Sequence, residues 1–164
     1  LHYSVAPETF PVALMELAKA VALVKSHACE WNIDTERIMV CGFSAGGHLA
    51  ACLGMMWNRD FLYGPLNMAP EDIQPKGMIL CYPVITSGEF GHKRSFEQLL
   101  GGKAGDPRLR ELVSLELQAG PHTPRTFLWH TWTDQSVPAE NSLLLAQALK
   151  KAGVSLEMHI FLEI

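Results

Sequence analysis

The sequence predicts an α/β protein built on a mostly parallel sheet with helices on both faces, and three observations lead there. Short apolar runs at 38–41, 78–82, 126–131 and 154–162 read as buried strands. Helix-compatible segments separate them, which implies crossover connections rather than hairpins. The first apolar run also passes through Gly42-Phe43-Ser44-Ala45-Gly46 straight into a second helical segment, the pattern of a tight strand-to-helix turn.

Each element has its own local justification. Residues 1–5 read as the end of a strand, broken by Ala6-Pro7. Pro11 stands at the first position of a long helix reaching about Trp31, because a proline there loses no intrahelical bond. Leu14, Leu17, Ala18, Val21, Val24, Ala28 and Trp31 recur at helical spacing and form its expected buried stripe. Asn32 to Arg37 is a polar turn. Ala45 to Met56, rich in Ala, Leu and Met and free of proline, is the next helix. Residues 58–75 read as irregular loop, and Pro83 stops the strand at 78–82. Residues 84–124 are less regular, with short helices expected at 95–100 and 107–118, and read as a cap-like insertion over a pocket. Pro138 opens a helix to Lys151 that Gly153 closes. Residues 1–164 thus form a single domain.

Composition narrows the function classes. Hydrophobic residues make up 48% and charged residues 18%, an ordinary globular profile. The net charge of −4 carries no basic patch, so nucleic acid is not an expected partner. No apolar run is long enough to cross a membrane, and no membrane partner is expected. Cys29, Cys41, Cys52 and Cys81 are scattered without a Cys-x-x-Cys pair, and Cys41 and Cys81 fall in strands read as buried. That usage favours a reducing, cytoplasmic setting. A homo-oligomer is left open.

The chemistry centres on Ser44. Gly-x-Ser-x-Gly between a strand and a helix is the sequence form of a nucleophile elbow, with Gly42 and Gly46 expected to leave room where a Cβ would clash. The turn lifts the Ser44 hydroxyl clear of the sheet, at a helix N-terminus where the Ala45 N–H favours developing negative charge. A serine needs a histidine to take its proton and a carboxylate to orient that histidine, and in this arrangement the chain order is serine, acid, histidine. Asp134, three residues after the strand at 126–131, fits the acid. Asp34 precedes the elbow strand, Asp60, Asp72 and Asp106 lie in connecting stretches, and Glu140 is the fallback acid.

No histidine fits so well. Only His159 follows Asp134, and it lies inside the last strand, where a structural role is expected. His130 reads as a packing or hydrogen-bonding residue, and His48 as facing away from the serine. His92 is a pocket-lining candidate, whereas His2, His27 and His122 also precede the acid. A Gly-rich loop able to supply a second oxyanion N–H is also missing ahead of Ser44. Both ends of the chain look cut.

These residues resemble the α/β-hydrolase superfamily, and within it the acetyl-esterase, acetyl-xylan-esterase-like branch. Tyr3-Ser4-Val5-Ala6-Pro7-Glu8 is similar to that branch's strand end and Ala-Pro turn, and residues 42–50 to its nucleophile block. Tyr82-Pro83-Val84-Ile85 resembles the following strand, and residues 127–131 with Asp134-Gln135-Ser136-Val137-Pro138 its acid block. The resemblance implies an α/β-hydrolase fold, present here in part as its central and C-terminal portion. It implies Ser44 as nucleophile, Ala45 as an oxyanion N–H and Asp134 as the acid. The catalytic histidine would then fall roughly three to five residues beyond Ile164, and a His-Gly-Gly loop ahead of Leu1. The implied activity is hydrolysis of a small-molecule ester, a sugar acetate or similar, through an acyl-enzyme and without metal or organic cofactor. Residues 1–164 alone are expected to be inactive for want of the histidine. A prolyl-peptidase-like hydrolase and a non-catalytic binding module on the same fold are the alternatives.

Overall fold

The computed structural model describes residues 1–163. Four strands form one sheet: β1 (Met39–Phe43), β2 (Gly77–Cys81), β3 (Arg125–Thr131) and β4 (Leu156–Phe161). They lie side by side in chain order, and every neighbouring pair is parallel. The longer helices are α1 (Val12–Ser26), α3 (Ala45–Met56), α6 (Lys93–Leu100) and α8 (Glu140–Lys151). Shorter ones are α2 (Ala28–Trp31), α4 (Asp60–Tyr63), α5 (Pro70–Ile73) and α7 (Pro107–Leu112). Among the described residues no helix is long and apolar enough to cross a membrane.

Strand order decides where the core lies. Parallel crossovers are right-handed, so strands laid down in sequential order place their connecting helices on the same face. Val40, Met78, Leu80 and Leu128 point to that face and are buried with the apolar sides of α1, α3 and α8. Met78, Leu80 and Leu128 have no exposed surface, and each such side chain contributes about 1.5–3 kcal/mol of transfer free energy. The opposite face presents Met39, Phe43 and Phe161, which are exposed. Helical cover, expected on both faces, is thus found on one within residues 1–163. Cys41, expected to be buried, is exposed because it lies on that open side on the edge strand β1, whereas Cys81, on the same side but on the inner strand β2, is buried.

Other departures from the sequence reading are local. Residues 1–5 form no strand. They are anchored instead by the N–H and hydroxyl of Ser4, which both donate to the Glu16 carboxylate at 2.7 and 2.6 Å. The long first helix breaks at His27 and resumes as α2, which Asn32 ends in the left-handed region at φ 54°. Asparagine tolerates that region better than most side chains. Leu14, Ala18 and Val21 are the buried members of its stripe, while Trp31 is left exposed against the His27 ring. Residues 58–75 contain the single-turn helices α4 and α5 rather than plain loop. The helix expected at 107–118 is α7 followed by a 3-10 turn at Leu115–Leu117. Gly153 closes α8 as expected, at φ 73°, its N–H donating to Lys150 and that of Val154 to Leu149.

Replacing Leu128 by Ala should remove a side chain from the centre of this core. Chemical denaturation should report a loss of about 2–5 kcal/mol.

Candidate active site

The elbow is built from close backbone approach. Ser44 lies at φ 50° and ψ −119°, a strained conformation for a residue with a side chain. Three hydrogen bonds hold it there. Its N–H donates to Cys81 O at 3.0 Å, while its carbonyl accepts from Val84 N–H at 3.1 Å and His48 N–H at 3.2 Å. A Cβ on Gly42 would lie 2.0 Å from Gly46 O, so only glycine fits there. Gly46, expected to be the second essential glycine, has room, since the nearest atom to a Cβ there is the Tyr3 hydroxyl at 3.7 Å. Gly47 carries that constraint instead, because its Cβ would meet Pro83 Cβ at 2.8 Å. Ser44 makes no side-chain cap bond to α3. Ala45 is the first residue of that helix, so its N–H has no intrahelical acceptor.

Asp134 follows β3 on a tight turn. Its Oδ1 accepts from Ser136 N–H at 2.8 Å and Val137 N–H at 2.9 Å. The other oxygen, Oδ2, lies 3.7 Å from His130 Nε2, beyond hydrogen-bond distance. Asp134 is therefore a turn-forming aspartate whose second oxygen stays open to a further donor. Three of the other aspartates have local structural roles. Asp34 accepts from Glu36 N–H, Asp72 from Ala69 N–H, and Asp106 caps α7. Glu140 opens α8, as the sequence reading placed it.

The histidines near this centre are engaged elsewhere. His130 is fully buried in β3; its Nε2–H donates to Val137 O at 2.8 Å, so Nδ1 accepts from the Ser142 hydroxyl at 2.7 Å. Burial lowers its pKa against opposing pulls from Val137 O and Asp134. His48 is buried behind the elbow, its Nε2–H donating to Val113 O at 2.8 Å. Burial pushes its pKa down to about 4, so the ring is neutral. The Cys52 thiol beside it is pushed up beyond any ordinary working range by the same cause. His159 is exposed on β4 and pairs with Glu157. His92 bonds Ser95 at the start of α6 and His122 bonds Met55 O. Among the described residues no cluster of three or more His, Cys, Asp or Glu could hold a metal ion.

One supporting residue escaped the sequence reading. Asn141 is fully buried; its Oδ1 accepts from Ile85 and Thr86 N–H, and its Nδ2 donates to Phe90 O and Pro138 O. It ties the loop after β2 to the start of α8. A polar residue in the first turn of a helix reads as solvent-facing, so the sequence carries no signal for it.

Residues 2–149 match the BD-FAE family. The chain belongs to that family. The BD-FAE chain is 36% identical over 148 residues to endo-1,4-beta-xylanase B of Butyrivibrio fibrisolvens, covering 90% of its own length and 23% of that protein. It is 31% identical over 158 residues to an acetylxylan esterase of Xylanibacter ruminicola, covering 93% of its own length and 30% of the relative. The crystal structure of an acetyl ester-xyloside bifunctional hydrolase from Caldicellulosiruptor lactoaceticus superposes with a TM-score of 0.87 at 44% identity. That match takes in 98% of this chain and 59% of the other. The chain therefore spans less than two thirds of each of these proteins. The α/β-hydrolase fold and the esterase kinship inferred from residues 42–50 and 127–138 hold for this BD-FAE chain.

Two outcomes follow from the geometry. Gly47→Ala should cost about 1–3 kcal/mol by overpacking against Pro83, whereas Gly46→Ala should be neutral or gain up to about 1 kcal/mol from helix propensity; urea unfolding measures both. His48 is neutral when folded and titrates near its ordinary value when unfolded. Its contribution is therefore complete above pH 6.5 and is lost as pH falls from 6.5 towards about 4. The total at stake is roughly 3 kcal/mol. Full-length His48→Gln should lose less stability than wild type between pH 7.5 and pH 4.5.

Proposed function

We propose that the protein containing this chain is a serine-dependent carboxylic ester hydrolase that removes an acetyl or similarly small acyl group from a sugar or other alcohol. The observation that carries the reading is Ser44 held at φ 50° on the turn into α3, with the Ala45 N–H unpartnered within the helix. Esterase kinship supports the reaction class. Ser44 Oγ attacks the ester carbonyl carbon and gives its proton to a histidine, which on this reading lies beyond Ile164. The carbonyl oxygen becomes an oxyanion that accepts from Ala45 N–H. Collapse releases the alcohol, which takes the proton from the histidine, and leaves an acyl-enzyme. Water, deprotonated by the same histidine, then frees the acid. Asp134 Oδ2 orients that histidine, since Oδ1 is committed to the turn.

In the full-length protein, Ser44→Ala should abolish fluorophosphonate labelling and cut p-nitrophenyl acetate hydrolysis by about 10⁴-fold or more. Asp134→Asn keeps an oxygen for the turn and should cut kcat by about 10³–10⁴-fold. Residues 1–164 alone should show no Ser44-dependent hydrolysis. An unlabelled, well-folded full-length protein would overturn the reading and favour a binding module.

A further inference from the structure

Among the described residues β4 forms one edge of the sheet, so its outer row of backbone groups has no strand partner. Ser155 and Phe161 turn their carbonyls towards β3, accepting from Thr126 and Trp132 N–H at 2.9 and 2.7 Å. By the alternation of a parallel ladder, Leu156, Met158 and Ile160 aim their N–H and C=O groups outward. The side chains of these three lie on the core face, where Leu156 and Met158 pack partly buried against the core. Glu157, His159 and Phe161 are exposed on the other face, with His159 Nε2 2.9 Å from Glu157 Oε1. Beside this edge, one face of α8 (Leu143, Ala146, Gln147 and Lys150) lines a groove together with Val154 and Leu156.

We propose that β4 is a homodimer interface, pairing antiparallel with β4 of a second copy about a two-fold axis at Met158. In an antiparallel pair, outward-aimed residues must face one another, and the axes that keep most of the strand paired lie at Glu157, Met158 or His159. An axis at Glu157 sets two carboxylates opposite each other, and like charges so placed are destabilising. An axis at His159 sets two imidazoles opposite each other and leaves each Glu157 facing Phe161. The Met158 axis instead sets Glu157 opposite the second copy's His159, and two-fold symmetry repeats that pair. Both pairs fall at positions without mutual backbone bonds, where facing side chains come closest. On the core face the same axis sets Leu156 opposite Ile160 and Met158 opposite itself, so every facing pair there is apolar. The outward N–H and C=O groups of all three residues then bond across the axis. That axis is perpendicular to the sheet, so the two α8 helices stand on one face with their grooves turned towards each other. The other edge, β1, carries no charged residue over Met39–Phe43, so no charge selects a register there. Dimerisation through β4 does not depend on Ser44 being a nucleophile.

The test is the association state of the full-length protein, measured by analytical ultracentrifugation. Wild type should be a dimer at micromolar concentration. His159→Glu faces carboxylate with carboxylate at both symmetry-related positions, and the double variant Glu157→Lys/His159→Lys faces ammonium with ammonium. Each alone should raise the dimer Kd at least about tenfold. Mixed in equal amounts, the two carry opposite charges at every facing position and should form a heterodimer with a Kd within about tenfold of the wild-type value. A wild type that stays monomeric, or a dimer that neither variant weakens, would overturn the proposal. So would two variants that dissociate but fail to recombine, because that pattern reports general damage rather than facing charges. A backbone readout fixes the strand: amide exchange at Leu156, Met158 and Ile160 should be at least about tenfold slower in wild type than in His159→Glu protein. Equal exchange in a wild-type dimer would put the interface elsewhere and overturn the assignment.

Discussion

The backbone of Ser44 is held where side-chain-bearing residues rarely rest, and the site is arranged around that constraint. A non-glycine residue in such a conformation costs about 1–3 kcal/mol, and surrounding structure has to hold it there. The hydrogen bonds to Cys81, Val84 and His48 do so from the next strand, the loop beyond it and the following helix. Because β1 and β2 are adjacent and parallel, the carbonyl of Cys81 sits beside the turn, and Pro83 packs against Gly47 from the same connection. The elbow therefore forms only when β2 is in register with β1.

A second set of buried polar contacts supports the turn that carries Asp134. His130 reaches from β3 to Val137 O and Ser142, and Asn141 reaches from α8 to the loop after β2. Val137 donates its N–H to Asp134 and accepts from His130 through its carbonyl, so one residue links the buried imidazole to the acid turn. Every ring nitrogen and amide atom in this network has a partner, which makes it rigid, whereas a half-satisfied network would destabilise it. The strained serine and the open Asp134 oxygen thus stand on neighbouring parts of one bonded framework.

Local chemistry made much of this legible in the sequence. Gly42 and Ser44 announced the elbow because the turn tolerates so few residue types, and α3 begins and ends at Ala45 and Met56 as its composition indicates. Gly153 closes α8 for the same kind of reason. What the sequence concealed depends on tertiary placement. Gly46 and Gly47 look alike in the chain, and only the position of Pro83 makes the second one essential. Cys41 alternates like a core residue, yet it is exposed because it sits on the edge strand β1, on the face that the covering helices leave open. Asp134 was legible as the carboxylate on the turn after β3, but the division of its oxygens between turn and open side was not.

The most direct test of the central claim, that this elbow carries a covalent nucleophile, is to trap the intermediate. Full-length protein mixed with p-nitrophenyl acetate, quenched in acid within milliseconds and digested, should yield a peptide with one acetyl group on Ser44. Turnover that proceeds with no acetyl group on that peptide, or with the group on another residue, would contradict the account.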